Sequence, residues 1–315
     1  MLKQYGFETA EEVYYLAQAV GPELSQLVGI APVEIQSTLG NQLNLIPQES
    51  AQKLEELEMP MGVPIDRGPP RGSMPSFAPV IQSSKSSVNL IDGSMPMIRN
   101  QQSRGTCVSF ATNAVLEYYF ANLGSEIDLS EQFTYWNCKQ NDGIPNSSGT
   151  WLSVSFPLIE RDGTCPEHVW AYQADGCQTE DCGPPPVAAF TSALPYRSLT
   201  RSIASNAVDD IKAALEGGNL VAFSVPVFRS WRQNPSVKWE GKINMPLPND
   251  IVEGGHAMCF VGYEESDKPG MGGGRFILRN SWGQDWAPNC PYGAGYGTIP
   301  FAYIARHCSE AYTVV

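Results

Sequence analysis

The sequence predicts an α+β fold of two lobes preceded by a helical segment, and three observations predict it. Helical periods run through the first part of the chain. From about residue 219 the period becomes that of strands, in "NLVAFSVPVF", "HAMCFVGYEE", "RFILRNSW" and the terminal "AYTVV". A Pro-, Gly- and Ser-dominated run, "MPMGVPIDRGPPRGSMPSFAPVIQSSKSS", separates residues 1–58 from the main unit at 88–315.

In residues 1–58, Thr9 and Glu12 make a capping-box pattern ahead of Val13, Leu16, Ala17 and Val20, which follow a helical period. Pro22 and Pro32 stand where a first helical turn tolerates proline, ahead of Leu24, Leu27 and Val28 and of Ile35 and Leu39. Residues 59–87 can bury little and read as an extended linker. In the main unit, helices are expected from 107 to about 122, from 151 to 160 with Pro157 as a disturbance, and over 209–218, where two glycines stop it.

The 315 residues are 42% hydrophobic, enough for an enzyme-sized core. A formal charge of −13 opposes attraction to nucleic acid or acidic membranes, so a nucleic-acid partner is not expected. No apolar run approaches the ~18 residues of a membrane span. The N-terminus lacks the continuous apolar stretch of a secretory signal, which leaves the cytoplasm or export by another route.

The chemistry concentrates around "IRNQQSRGTCVSFATNAVLEYYF". Cys107 stands where a polar loop becomes a helix, and a helix start favours thiolate over thiol. The chain has three histidines. His256 is the best placed as a base, opening an apolar strand after two glycines. A nucleophile and base work best when a third group holds the base, and Asn280 in "RNSWG" supplies one, with Trp282 to cover it from water.

Four separated stretches, "NQQSRGTCVSFA", "LSEQF", "GGHAMCFVGY" and "FILRNSWGQDW", together resemble the papain family of cysteine peptidases, particularly its bacterial members. The resemblance implies a papain-like fold with Cys107 as nucleophile, His256 as general base and acid, Asn280 as its orienter and Gln101 as oxyanion donor, without metal or cofactor. It implies protein or peptide substrates, with Gly105, Ser148, Gly149, Gly255 and Trp282 along the substrate cleft. Gln102 stands where family members commonly carry glycine. Arg104 stands where papain has a cysteine, so that family disulfide cannot form. His256 lies 149 residues beyond Cys107, at the upper end of the ~130–150 expected, which implies insertions.

Three questions stay open in the sequence. Cys165, His168, Cys177 and Cys182 have zinc-like spacing but also suit disulfides or free thiols, and by order Cys138 and Cys177 resemble a bridged pair of papain. The N-terminal region is either a pro-segment that keeps a zymogen latent or a docking module. The enzyme is expected to be an endopeptidase; an acyltransferase or deamidase would share the acyl-enzyme, and a silent binding module would share the fold.

Overall fold

The computed structural model describes residues 1–40, 42–68, 85–175 and 177–315. Thr9 opens α1 (Ala10–Ala19) through a complete capping box: Glu12 N donates to Thr9 Oγ1 at 3.2 Å and Thr9 N to Glu12 Oε2 at 3.1 Å. The prolines at the starts of α2 (Gly21–Val28) and α3 (Pro32–Leu39) give up amide donors that a first turn leaves unpaired anyway. Phe7, Leu16, Ala17, Val20, Leu24 and Ile35 form a small core with Leu247 of the main unit. The N-terminal helices therefore bury their apolar faces partly against the rest of the molecule. In the last turn of α4 (Gln48–Glu55), Leu54 O accepts from Lys238 Nζ of the main unit at 3.0 Å.

Of the linker expected over 59–87, residues 69–84 lie outside the described residues. Residues 59–66 line a groove of the main unit and are called the strap below. The far end of the linker is already strand, β1 (Ser87–Asn89).

The main unit begins with helices and ends with a sheet. α5 (Cys107–Asn122) is buried on every side from Cys107 to Tyr118, because α6 (Glu131–Asn141) and α7 (Leu152–Asp162) cover one side and the sheet the other. α7 runs through Pro157 instead of breaking there. α8 (Val187–Ala193) and β2 (Thr200–Ile203) lead to α9 (Val208–Glu216), which Gly217 and Gly218 follow as expected. Next come β3 (Val221–Phe228), α10 (Arg229–Arg232), α11 (Pro235–Glu240), β4 (Val252–Ser266), β5 (Gly273–Arg279), β6 (Tyr296–Pro300), α12 (Phe301–His307) and β7 (Glu310–Val314). The antiparallel sheet has the order β2-β7-β3-β4-β5-β6, with β1 also on β4. Phe223, Phe260 and Phe276 stack across β3, β4 and β5 at its centre.

The cysteines depart from the bridged pair that papain suggests. Cys138 sits on the inner face of α6, buried, whereas Cys177 lies on an outer loop and pairs with Cys182. The zinc-like set does not converge either: Cys165 is buried, His168 is exposed, and Cys177 and Cys182 are joined to each other. Among the described residues no group of three metal-ligating side chains forms.

Candidate active site

Where α5 meets β4, the Cys107 sulfur sits against the residue that follows His256. Cys107 is the first residue of α5, His256 lies on β4, and the amide of Ala257, the next residue on β4, donates to Cys107 Sγ at 3.4 Å. β4 holds His256 in register with Val225 of β3, so the ring position is fixed by the middle of the sheet. His256 Nε2 bonds Asn280 Oδ1 at 2.8 Å, and the same oxygen accepts from Ser281 N at 2.8 Å. Since Asn280 Oδ1 also takes an amide hydrogen, it is an acceptor, and Nε2 carries the imidazole proton. Nδ1 is then the basic nitrogen; it is buried without a hydrogen-bond partner among the described residues. The Trp282 ring stacks on the imidazole at 4.3 Å between centroids and 19° between planes.

Gln101 lies fully buried on the loop before α5. Its Nε2 donates to Arg104 O at 2.8 Å and its Oε1 accepts from Ser281 Oγ at 2.6 Å. One amide hydrogen remains for another acceptor. Gln102 takes a positive φ of 53°, a conformation that glycine adopts without penalty, which accounts for the glycine expected at this position.

The strap crosses this site. Gly62 N and Val63 N donate to Gly255 O at 3.2 and 3.0 Å, and Thr150 N donates to Gly62 O at 2.9 Å. Trp282 Nε1 donates to Pro60 O at 3.0 Å and Trp151 Nε1 to Pro64 O at 3.3 Å. Contact is so close that a Cβ on Gly149 would sit 2.3 Å from Gly62 O, and one on Gly105 would sit 2.4 Å from Ser148 Oγ and 3.0 Å from Met61 O. The Met61 side chain lies on Gly254, and Val63 and Ile65 on Gly255. Thus Gly105, Ser148, Gly149, Gly255 and Trp282 all line one groove, and Cys107, His256, Asn280 and Gln101 lie beneath or beside it.

Burial under the strap sets the electrostatics. Cys107 has no exposed surface, and desolvation pushes its thiol up to about 11, although the amides of Ala257, Gly62, Val108 and Cys107 itself oppose this. Desolvation also drives His256 down to about 4 against the bond from Asn280. The expectation of a thiolate at the helix start therefore fails in this covered state, because excluding water outweighs the helix terminus.

The sequence reading missed Ser281, Tyr172 and the strap's contacts with Trp151 and Trp282. Ser281 adjoins Asn280, so adjacency was its one signal. Tyr172 had none: its hydroxyl reaches Gln101 O at 2.7 Å across 71 positions of chain.

The profile of the papain family cysteine proteases matches residues 86–299. An uncharacterized peptidase C1-like protein of Acanthamoeba polyphaga mimivirus is 30% identical over 67% of this chain and 67% of its own length. Cysteine proteinase 1 of Entamoeba histolytica is 28% identical over 62% of this chain, which spans 58% of that relative. Among solved structures, xylellain, a cysteine protease from Xylella fastidiosa, superposes with a TM-score of 0.68 at 23% identity, covering 81% of this chain and 96% of its own. Procathepsin L 3 of Tenebrio molitor larval midgut gives 0.54 at 16% identity, covering 100% and 96%. At these identities the two structures establish the fold.

Proposed function

The chain belongs to the papain family of cysteine proteases, and from that premise we propose that it is an endopeptidase acting through Cys107 and held latent by its own N-terminal segment. The division into a helical segment at 1–58, a linker at 59–87 and a peptidase unit at 88–315 belongs to the same proposal.

When the strap leaves, water returns to the cleft and His256 Nδ1 takes the Cys107 proton. The thiolate attacks a substrate carbonyl carbon, and the electron pair of the C=O moves to oxygen. The Cys107 amide and the free Gln101 N–H receive that oxyanion. His256 then gives its proton to the leaving amine, the C–N bond breaks, and an acyl-enzyme remains. A water loses a proton to His256, attacks the thioester and releases the acid and the thiol. Asn280 holds the imidazole tautomer throughout.

What most supports this reading is the convergence of the Cys107 sulfur and the His256–Asn280 pair beneath one groove whose floor accepts an extended chain through backbone bonds. The strap supports latency because it occupies that groove; a module that only docks elsewhere has no reason to lie there. The test is to incubate the full chain, with and without limited proteolysis, with an unfolded protein, beside Cys107→Ala. New N-termini that depend on Cys107 support a peptidase. Mass shifts at intact length would instead assign the acyl chemistry to transfer or deamidation, and no Cys107-dependent change in either would mean a silent binding module.

A further inference from the structure

We infer that Arg104 is a positioning residue for Gln101, fastening the loop before the nucleophile to Gln132, Gln173 and the disulfide-closed loop at 177–182. The inference rests on Gln101 acting as oxyanion donor.

Gln101 must present one N–H at a fixed place, so its amide plane has to be held from both ends. Ser281 Oγ holds the oxygen end and the backbone carbonyl of Arg104 holds the nitrogen end, at 2.6 and 2.8 Å. That carbonyl is only as steady as Arg104 itself. The guanidinium is held on several sides: Nη1 donates to Gln132 Oε1 at 2.8 Å and to Gln173 O at 2.6 Å, and Nη2 donates to Glu180 O at 2.8 Å. Its plane also lies near two rings, 5.1 Å from the centre of Tyr135 and 5.4 Å from that of Tyr172.

Each of these partners is tied in turn to the cleft or to the outer loop. Tyr172 OH donates to Gln101 O at 2.7 Å and lies 2.7 Å from Thr106 Oγ1, which bridges the two ends of the loop before α5. Tyr135 OH donates to Glu180 Oε1 at 2.6 Å and accepts from Gly149 N at 3.0 Å. Gln132 Nε2 donates to Asp181 O at 2.8 Å. Cys177 and Cys182 close the loop that supplies the carbonyls of Glu180 and Asp181. A three-bond fork between two rings needs a planar guanidinium; an ammonium is a point donor and cannot reproduce it. The Arg104 guanidinium gives its donors to Gln132, Gln173 and Glu180, away from the strap's own hydrogen bonds, so its role runs through the loop.

Arg104→Ala should therefore lower kcat about 10- to 100-fold, short of or equal to the ~10²–10³ for loss of an oxyanion donor, and leave KM within about twofold. Arg104→Lys should recover less than half of the loss. The rates are read on the full chain after limited proteolysis has brought the wild type to its maximum. The deciding measurement is a double-mutant cycle: in a Gln101→Ala background, Arg104→Ala should cost less than about twofold more. Full additivity of the two losses overturns the inference, as does an unchanged kcat. Tyr172→Phe, which keeps the ring and deletes the hydroxyl tie, serves in the same cycle where Arg104→Ala does not fold. A second readout needs no turnover: in the ¹⁵N-glutamine-labelled full chain, the Gln101 side-chain amide pair, identified by its loss in Gln101→Ala, should shift and exchange faster in Arg104→Ala or Tyr172→Phe. An unmoved pair overturns the inference. A wild type without Cys107-dependent hydrolysis, but with a displaced pair, would sink the catalytic reading and leave the positioning role standing.

Discussion

Gly62→Ala should open the enzyme without cutting it. A Cβ on Gly62 would lie 2.0 Å from Gly105 O and 2.3 Å from Gly105 C, and these are backbone atoms of the loop before α5, which cannot swing aside. The strap has to lift. Lifting breaks the two hydrogen bonds that Gly62 N and Val63 N donate to Gly255 O and the one that Thr150 N donates to Gly62 O. At about 1 kcal/mol each these sum to about 3 kcal/mol, or on the order of 10² in the ratio of covered to open chain. The uncut Gly62→Ala chain should hydrolyse a small fluorogenic peptide about 10² faster than the uncut wild type, up to the rate of fully processed enzyme. Gly68→Ala is the matched control, because a Cβ there meets nothing within 4 Å. Wild-type rates in a folded Gly62→Ala chain would refute the reasoning, and so would an uncut wild type already as fast as the processed one.

Cys107→Ala should abolish hydrolysis at a stability cost within about 1 kcal/mol, and His256→Ala should also abolish it but cost about 2–3 kcal/mol, since its ring is fully buried under Trp282; urea denaturation and product analysis check both. Iodoacetamide should modify Cys107 slowly in the uncut chain, where the thiol is buried and pushed up to about 11, and fastest of all thiols in Gly62→Ala, as peptide mass mapping will read; equal rates in the two chains contradict the covering role. Stability should rise as pH falls from 7.5 to 5.5, because burial lifts Glu117 to about 7 from an ordinary 4.5, so the folded chain keeps a proton that the unfolded chain has released and loses that advantage as pH climbs through 7. Glu131, raised by burial and by Glu117, acts in the same direction, while His256, depressed to about 4, acts against them below 6.5. With Asp128, Glu167, Arg99 and Arg279 unchanged around it, Glu117→Gln should flatten the slope by about 1 kcal/mol per pH unit; an unaltered slope in the denaturation midpoint refutes this.

The α+β class was legible because the change of period near β3 is a local signal. So was the capping box at Thr9, which needs two residues three apart. Cys107, His256 and Asn280 were legible for a different reason: each sits in a short motif with its own neighbours. The disulfide was not, since Cys138 and Cys177 suit each other by order alone, and which way α6 turns Cys138 depends on packing against α7. Pro157 was overcalled as a disturbance; α7 is held by Phe156, Leu158 and Ile159 in the core, and that burial outweighs one missing amide. The Arg104 network was illegible because two of its acceptors, at 173 and 180, are backbone carbonyls, which carry no side-chain signature, and the third, Gln132 Oε1, lies 28 positions away.

If the groove under the strap takes peptides, as proposed, the strap does not lie in it as a substrate would. At the sulfur it offers the Gly62 amide, one of the donors facing the thiol, while the Gly62 carbonyl is turned to Thr150 N. The carbonyl oxygen is thus taken up by Thr150 N, while the Gln101 amide nitrogen donates to Arg104 O. Covering also disarms the chemistry. With the Cys107 thiol pushed up to about 11 and His256 driven down to about 4, both by desolvation, moving the proton from sulfur to nitrogen is uphill. The covered pair holds one proton, on sulfur, anywhere between those limits. An open thiolate–imidazolium pair also holds one, on nitrogen. Because the proton count does not change, linkage gives this pair no pull on opening as pH falls toward 4. On the latency proposed above, acid does not release the strap through the Cys107–His256 pair, and release comes from the strap's own contacts or from cutting the chain.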